Sequence, residues 1–240
     1  MKKIQKRHQP KGFDILYEDQ DMIIGNKVPG HLSVRALWNK ENTVHAALNQ
    51  YVRKGNSKSH KRVYVVHRLD QDTSGVMVFA KSFEVQNFLK DDWKNTKKIY
   101  YAIVLGKLEH KAGTISGYLL EDEDYKVHTT DDTQRGKLAH TKYIVLKEVN
   151  KFSLVKIDLL TGKKNQIRVH FADVGHPVVG DVKYGGPKAK HERLALHARS
   201  ITLTHPFNRK RLTIEAPLPE FFSKIVGKIE MIEKESRERF

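Results

Sequence analysis

Apolar residues in the first part of the chain come in short runs separated by polar turns. Over residues 13–28 two such runs flank Glu18-Asp19-Gln20-Asp21, a pattern that predicts strand, turn and strand. Pro29-Gly30 breaks this unit. Beyond it, Val44, Ala47, Leu48, Tyr51 and Val52 recur near helical spacing, and Asn42 is placed to cap a helix running to roughly Lys54. Residues 54–62 are mostly basic or small and read as a flexible loop with little to bury. Residues 63–66 and 76–80 are strand-like, and the polar stretch from His67 to Gly75 connects them.

The second half repeats the mixture. Ser82 is placed to cap a helix with a buried stripe of Val85, Phe88, Leu89 and Trp93. A strand is expected over 99–105, ended by Gly106, and further strands near 113–120, 140–148 and 152–160. A short helix should cover about 165–174, with Gly175 as its stop. After a loop rich in Gly and Pro, 194–203 and 211–215 read as strands, and Pro219-Glu220 opens a last helix followed by a charged tail. There is no repeat of solenoid period and no composition break that divides the chain. Hairpin-like strands with scattered helices favour an α+β fold: a central, largely antiparallel mixed sheet flanked by helices. The expected organisation is a basic arm at 1–12, a single domain over 13–235 and a tail at 236–240.

Composition narrows the class. Apolar residues are 39% of the chain and charged residues 30%, enough for a packed core under a charged surface. Lys and Arg number 44 against 28 Asp and Glu, a net charge of +16. Such a surplus points to a polyanionic partner, because each phosphate neutralised releases a condensed counterion. The absence of cysteine excludes disulfides, thiolate catalysis and Cys-based zinc sites, and fits a reducing cytoplasm. No apolar run is long enough to span a bilayer. The basic start leads into Gln9-Pro10-Lys11-Gly12, not into the apolar stretch of a secretory signal. A cytoplasmic protein without a membrane or obligate protein partner is expected.

The connection His67-Arg68-Leu69-Asp70-Gln71-Asp72-Thr73-Ser74-Gly75 carries the candidate chemistry. Asp72, Thr73, Ser74 and Gly75 are typical turn residues, whose side chains bond nearby backbone or accept positive φ. Asp70 differs, since it follows apolar Leu69 at the rim of an expected sheet. Arg68 alternates to the opposite side, toward a partner.

This segment resembles the signature of the RluA-type pseudouridine synthases, and others follow in the family's order. Lys98-Ile99-Tyr100 resembles the family's Lys-x-Tyr strand. Leu160-Thr161-Gly162-Lys163-Lys164-Asn165-Gln166-Ile167-Arg168 resembles its third segment, and the stretch from Gly175 to Gly185, the start around Leu16 to Lys27 and Leu196-His197-Ala198 also fit. Several motifs in register over about 13–219 are far more specific than one. Two departures stand out. The family's Lys-Pro pair is here Lys27-Val28-Pro29, a slip in a turn expected to lie away from the chemistry. Lys163 and Asn165 replace the usual Arg and His of the third segment. Many relatives carry a small N-terminal RNA-binding domain, for which the arm at 1–12 is too short.

The resemblance implies an RNA cleft across the sheet and isomerisation of uridine to pseudouridine in ribosomal or transfer RNA. It makes Asp70 the catalytic carboxylate, with Tyr100 under the base and Arg168 as active-site arginine. Arg68, filling the space of an unstacked nucleotide, and Ile167, closing the apolar side, would bind substrate. The glycosidic bond is broken and remade without redox change or loss of atoms, so neither cofactor nor metal is expected. A carboxylate serves as nucleophile or base, and a nearby guanidinium would keep it ionised. Two other classes stay open. A metal-dependent phosphodiesterase would draw on His67, Asp70, His170, His176 and Asp181, though these lack a familiar ligand spacing. A non-catalytic RNA-binding protein would share the basic charge without needing Asp70.

Overall fold

The computed structural model describes residues 9–35, 43–56 and 58–229. Its strands are β1 (Phe13–Glu18), β2 (Met22–Lys27), β3 (Tyr64–Val65), β4 (Ser74–Ala80), β5 (Lys97–Leu105), β6 (Ala112–Glu121), β7 (Val127–Thr130), β8 (Lys137–Val149), β9 (Phe152–Leu159), β10 (Leu196–Thr204) and β11 (Arg211–Glu215). The helices are α1 (Val44–Arg53), α2 (Phe83–Asp91), α3 (Gln166–Asp173), α4 (Val182–Gly185) and α5 (Glu220–Val226). The chain divides into two compact units, with boundaries after Lys97, His197 and Pro217. Asn42, residues 1–8 of the basic arm and the tail at 236–240 lie outside the described residues.

In the first unit β1, β2 and β4 form an antiparallel ladder, β3 pairs with the end of β4, and β10 pairs antiparallel with β11. All seven residues of β4 are buried, because both of its faces are covered. Val76, Val78 and Ala80 join Met22, Ile24, Leu89, Ile201 and Leu203 in one apolar cluster. The alternate residues face the other way: Phe79 meets Phe13 edge-on at 5.6 Å and lies parallel to His45 of α1. Period-two alternation thus sends one strand's side chains into two cores. Both helices start where a hydroxyl accepts a backbone N–H. Ser82 Oγ accepts from Val85, as expected, and Thr43 Oγ1 accepts from Ala46.

In the second unit β5, β9, β8, β6 and β7 lie in that order, antiparallel throughout. Leu119, Val127, Ala139 and Val169 of α3 form a small cluster with Tyr184. Phe221, Phe222 and Val226 bury one side of α5. β7 and α4 were not foreseen from the sequence. Trp93 lies beyond the end of α2, in a 3-10 turn, but packs against the same apolar cluster as Val85, Phe88 and Leu89, and its ring lies 4.7 Å from that of His67.

Candidate active site

The connection between β3 and β4 is held by groups distant in sequence. Ser33, itself buried, donates its hydroxyl to Leu69 O at 2.6 Å and accepts from Leu69 N at 3.1 Å. On the other side of Asp70, the Lys27 ammonium donates to Gln71 O at 2.7 Å, His31 O at 2.8 Å and Val28 O at 3.2 Å. Lys27 is 0% exposed. A buried ammonium is tolerated where its hydrogens meet acceptors, and three carbonyls do that here. Gly30 N donates to the same Gln71 carbonyl, and Thr73 N closes a turn onto Asp70 O. Both neighbours of Asp70 are therefore pinned. The side chain between them is half-buried, and Arg68 is exposed.

The loop also needs Gly75. Its φ is +117°, and a Cβ there would lie 2.2 Å from Ala198 O, inside contact distance. His67 anchors the upstream end by accepting from Val78 N at 3.1 Å. The departure at Lys27-Val28-Pro29, expected to be remote, thus abuts the candidate nucleophile. Lys27 and Ser33 are parts of the site that sequence reasoning did not pick out. Their partners lie 44 and 36 residues away, and the one local signal was Lys27 at a strand position following the apolar run Met22-Ile23-Ile24.

The second unit carries Tyr100, Ile167 and Arg168. Tyr100 is buried in β5, opposite Ile157 of β9. Alternation puts Lys98 on the same strand face. Burial pushes the Lys98 ammonium below its usual value, and Asp158 acts in the other direction. Ile167 and Arg168 follow one another in the first turn of α3. Ile167 is buried; Arg168 Nε donates to Asp181 Oδ2 at 2.7 Å and Nη2 to Oδ1 at 2.9 Å, a bidentate pair. The Arg168 guanidinium also lies 5.0 Å from the centre of the Tyr184 ring. Asp181 is buried and caps α4 by accepting from Tyr184 N.

The start of α3 is set by the segment that departs from the family pattern. Asn165 takes φ +52°, a left-handed conformation that Asn adopts more readily than most residues, and its side chain accepts from Tyr184 OH at 2.9 Å. Gln166 is buried with both ends of its amide bonded. Its oxygen accepts from Thr161 Oγ1 and Lys163 N, and its nitrogen donates to His140 O and Thr141 Oγ1.

The residues pooled for a metal site are engaged separately. His176 Nδ1 lies 2.8 Å from Leu105 O, His170 Nδ1 2.9 Å from Thr141 Oγ1, and Asp181 holds Arg168. Among the described residues, Asp19, Asp21 and His205 form the one group close enough to share an ion. Asp19 already accepts there from Tyr17 OH, Asp21 N and Met22 N, and it pairs with His205.

Comparison with known proteins decides among the classes left open. Residues 21–173 match the family model described as RNA pseudouridylate synthase. The chain is 35% identical over 211 residues to the dual-specificity RNA pseudouridine synthase RluA of Vibrio cholerae, covering 85% of this chain and 82% of that protein. It is 34% identical over 237 residues to ribosomal large subunit pseudouridine synthase D of Blochmanniella floridana, covering 90% and 72%. Among solved structures, human RNA pseudouridylate synthase domain containing 4 shares the fold, with a TM-score of 0.72 at 24% identity over 87% of this chain and 89% of that one. The protein is an isomerase that acts on RNA. It belongs to the RNA pseudouridine synthase family, in the RluA-type branch its motifs resemble.

Proposed function

We propose that Asp70 is the nucleophile or base of the reaction, that Arg168 is the active-site arginine, and that Tyr100 supports the uracil ring. The observation that carries this reading is the loop: a half-exposed carboxylate on a backbone pinned at both neighbours by buried Ser33 and Lys27. Such fixation keeps the reacting oxygens in place without reorganisation at the moment of reaction. The bond from ribose C1′ to N1 breaks, the ring turns, and C1′ bonds to C5. A proton leaves C5 and N1 gains one, so the formula is unchanged. Arg68 would occupy the gap left by the unstacked nucleotide, and Ile167 the apolar side of the base. Residues 13–235 act in this reading as one catalytic domain.

Ribosomal and transfer RNA are the proposed substrates, reached in the cytoplasm. Support comes from the net charge of +16, and from the relative whose name assigns it to the ribosomal large subunit. Mapping pseudouridines in both RNA classes, from cells with and without the gene, tests the substrate. Unchanged maps would refute it. Asp70→Asn keeps the shape and removes the charge; it should lower turnover by ~1000-fold or more while RNA affinity persists. Normal turnover after that substitution would end the nucleophile assignment.

A further inference from the structure

The turn at 205–210 between β10 and β11 holds Phe207 in solvent, 75% exposed, the highest value among the described large hydrophobic side chains. A mobile turn would let such a ring fold back on apolar surface, but this one is fixed from several directions. His205 N donates to Lys210 O and Arg209 N to His205 O, at 2.9 and 3.0 Å. The His205 ring accepts the Phe207 and Asn208 amides on Nδ1 and donates from Nε2 to Asp19 at 2.7 Å. The Arg209 guanidinium lies 4.1 Å from the centre of the Phe88 ring. Arg211 reaches Thr204 Oγ1, Thr202 O and Asn95 O.

The surroundings are cationic. Residues 205–211 include Arg209, Lys210 and Arg211 and no carboxylate, and Lys94 is exposed beside Asn95. The nearby acids are Asp19, tied to His205, Asp21 in the same cluster, and Asp92. Hydrogen bonds from Asn95 and Thr204 hold the Asp92 carboxyl below its usual value, and Arg211 and Arg209 add to this. A fixed, outward aromatic ring among cations is the chemistry of single-strand binding, where bases stack and phosphates are neutralised. Protein interfaces deplete lysine around their aromatic anchors, which makes a protein partner the poorer fit.

We propose that this turn is a nucleotide-binding site outside the catalytic loop: an unpaired base of the substrate RNA stacks on Phe207, with adjacent phosphates on Lys210 and Arg209. The inference rests on the RNA-modifying reading and deepens it. It is tested on the full chain with a single-stranded RNA of about ten nucleotides carrying 2-aminopurine, whose fluorescence is quenched by stacking. Wild type should quench the probe. Phe207→Ala should remove the quench and weaken binding about tenfold, and Phe207→Trp should retain both. Lys210→Ala should lower the slope of log affinity against log salt by about 0.7. Because Phe207 buries little, thermal melting of Phe207→Ala should match wild type. If Phe207→Ala binds and quenches like wild type, or if its sole effect is to abolish self-association in sedimentation, the proposal fails. Pseudouridine formation by wild type is read separately. If wild type forms it and Phe207 proves idle, this inference alone falls; if wild type forms none while Phe207 still governs RNA binding, the catalytic reading falls.

Discussion

At the residue scale, Lys27 shows how a buried charge shapes a site it does not enter. Its ammonium lies under the loop, and three carbonyls take its hydrogens. Lys27→Met fills similar space but removes those hydrogen bonds, at a cost of about 1–3 kcal/mol. The Gln71 carbonyl would then keep the Gly30 N–H but lose the ammonium, which loosens the backbone that aims Asp70. Urea unfolding should show the stability loss, and single-turnover kinetics at saturating RNA a chemical step slowed by roughly tenfold or more. A variant that is destabilised but keeps the rate of its chemical step would reduce Lys27 to a folding role. None of this was legible in sequence. Asp70 was, because its motif is local, whereas Lys27 and Ser33 reach the loop only after β2 and β4 have paired.

Legibility at the element scale followed the number of buried residues an element contributes. β2, β4, β5 and β9 bury most of their length and were readable from apolar runs. β7 buries Val127 alone, and α4 is a four-residue turn organised by the Asp181 cap and the Tyr184 contact with Arg168, so neither leaves a periodic trace. Trp93 was read into the right core but the wrong element: it packs with Val85, Phe88 and Leu89 from a 3-10 turn, and against the His67 ring. The link between α3 and α4 gives a test. Asp181→Asn retains the shape but removes the carboxylate charge from the bidentate pair with Arg168, whose side chain is only 14% exposed. Loss of such a partner costs about 3–5 kcal/mol at the upper end, less where the amide keeps one acceptor. Turnover should fall with stability, and RNA affinity should change little. Normal turnover in this variant would mean that the orientation of Arg168 does not matter to the reaction.

For the whole molecule, the two units should fail at different pH. In the second unit, Thr141 Oγ1 accepts from Gln166 Nε2 at 2.9 Å, which leaves its hydrogen for His170 Nδ1. The neutral ring then carries its own hydrogen on Nε2, a buried atom with no hydrogen-bond partner. Charging the ring would set a second N–H against the Thr141 hydroxyl in a buried site. Burial accordingly pushes His170 down from 6.5 to about 4, with opposition from Asp173 and reinforcement from His140. A folded-state value below the unfolded one means that the contribution to stability is complete above pH 6.5 and declines as pH falls toward 4. In the first unit Asp19 belongs to a lower pH range. Asp19 is held below 3.8 against burial by hydrogen bonds from Tyr17, His205 and the backbone, so its contribution is lost at lower pH still. At the alkaline end, burial and bonds to Asp19 and Glu18 push Tyr17 and Tyr51 up to about 12. Their contribution is present below pH 10 and lost as pH rises toward 12. Urea unfolding as a function of pH, followed by hydrogen exchange resolved along the chain, should therefore show 98–197 weakening first between pH 6.5 and 4. In His170→Gln, which cannot take up a proton, the acid decline in that window should flatten. Equal weakening of both units above pH 4, or an unaltered acid limb in the variant, would show that the His170 proton is not the source.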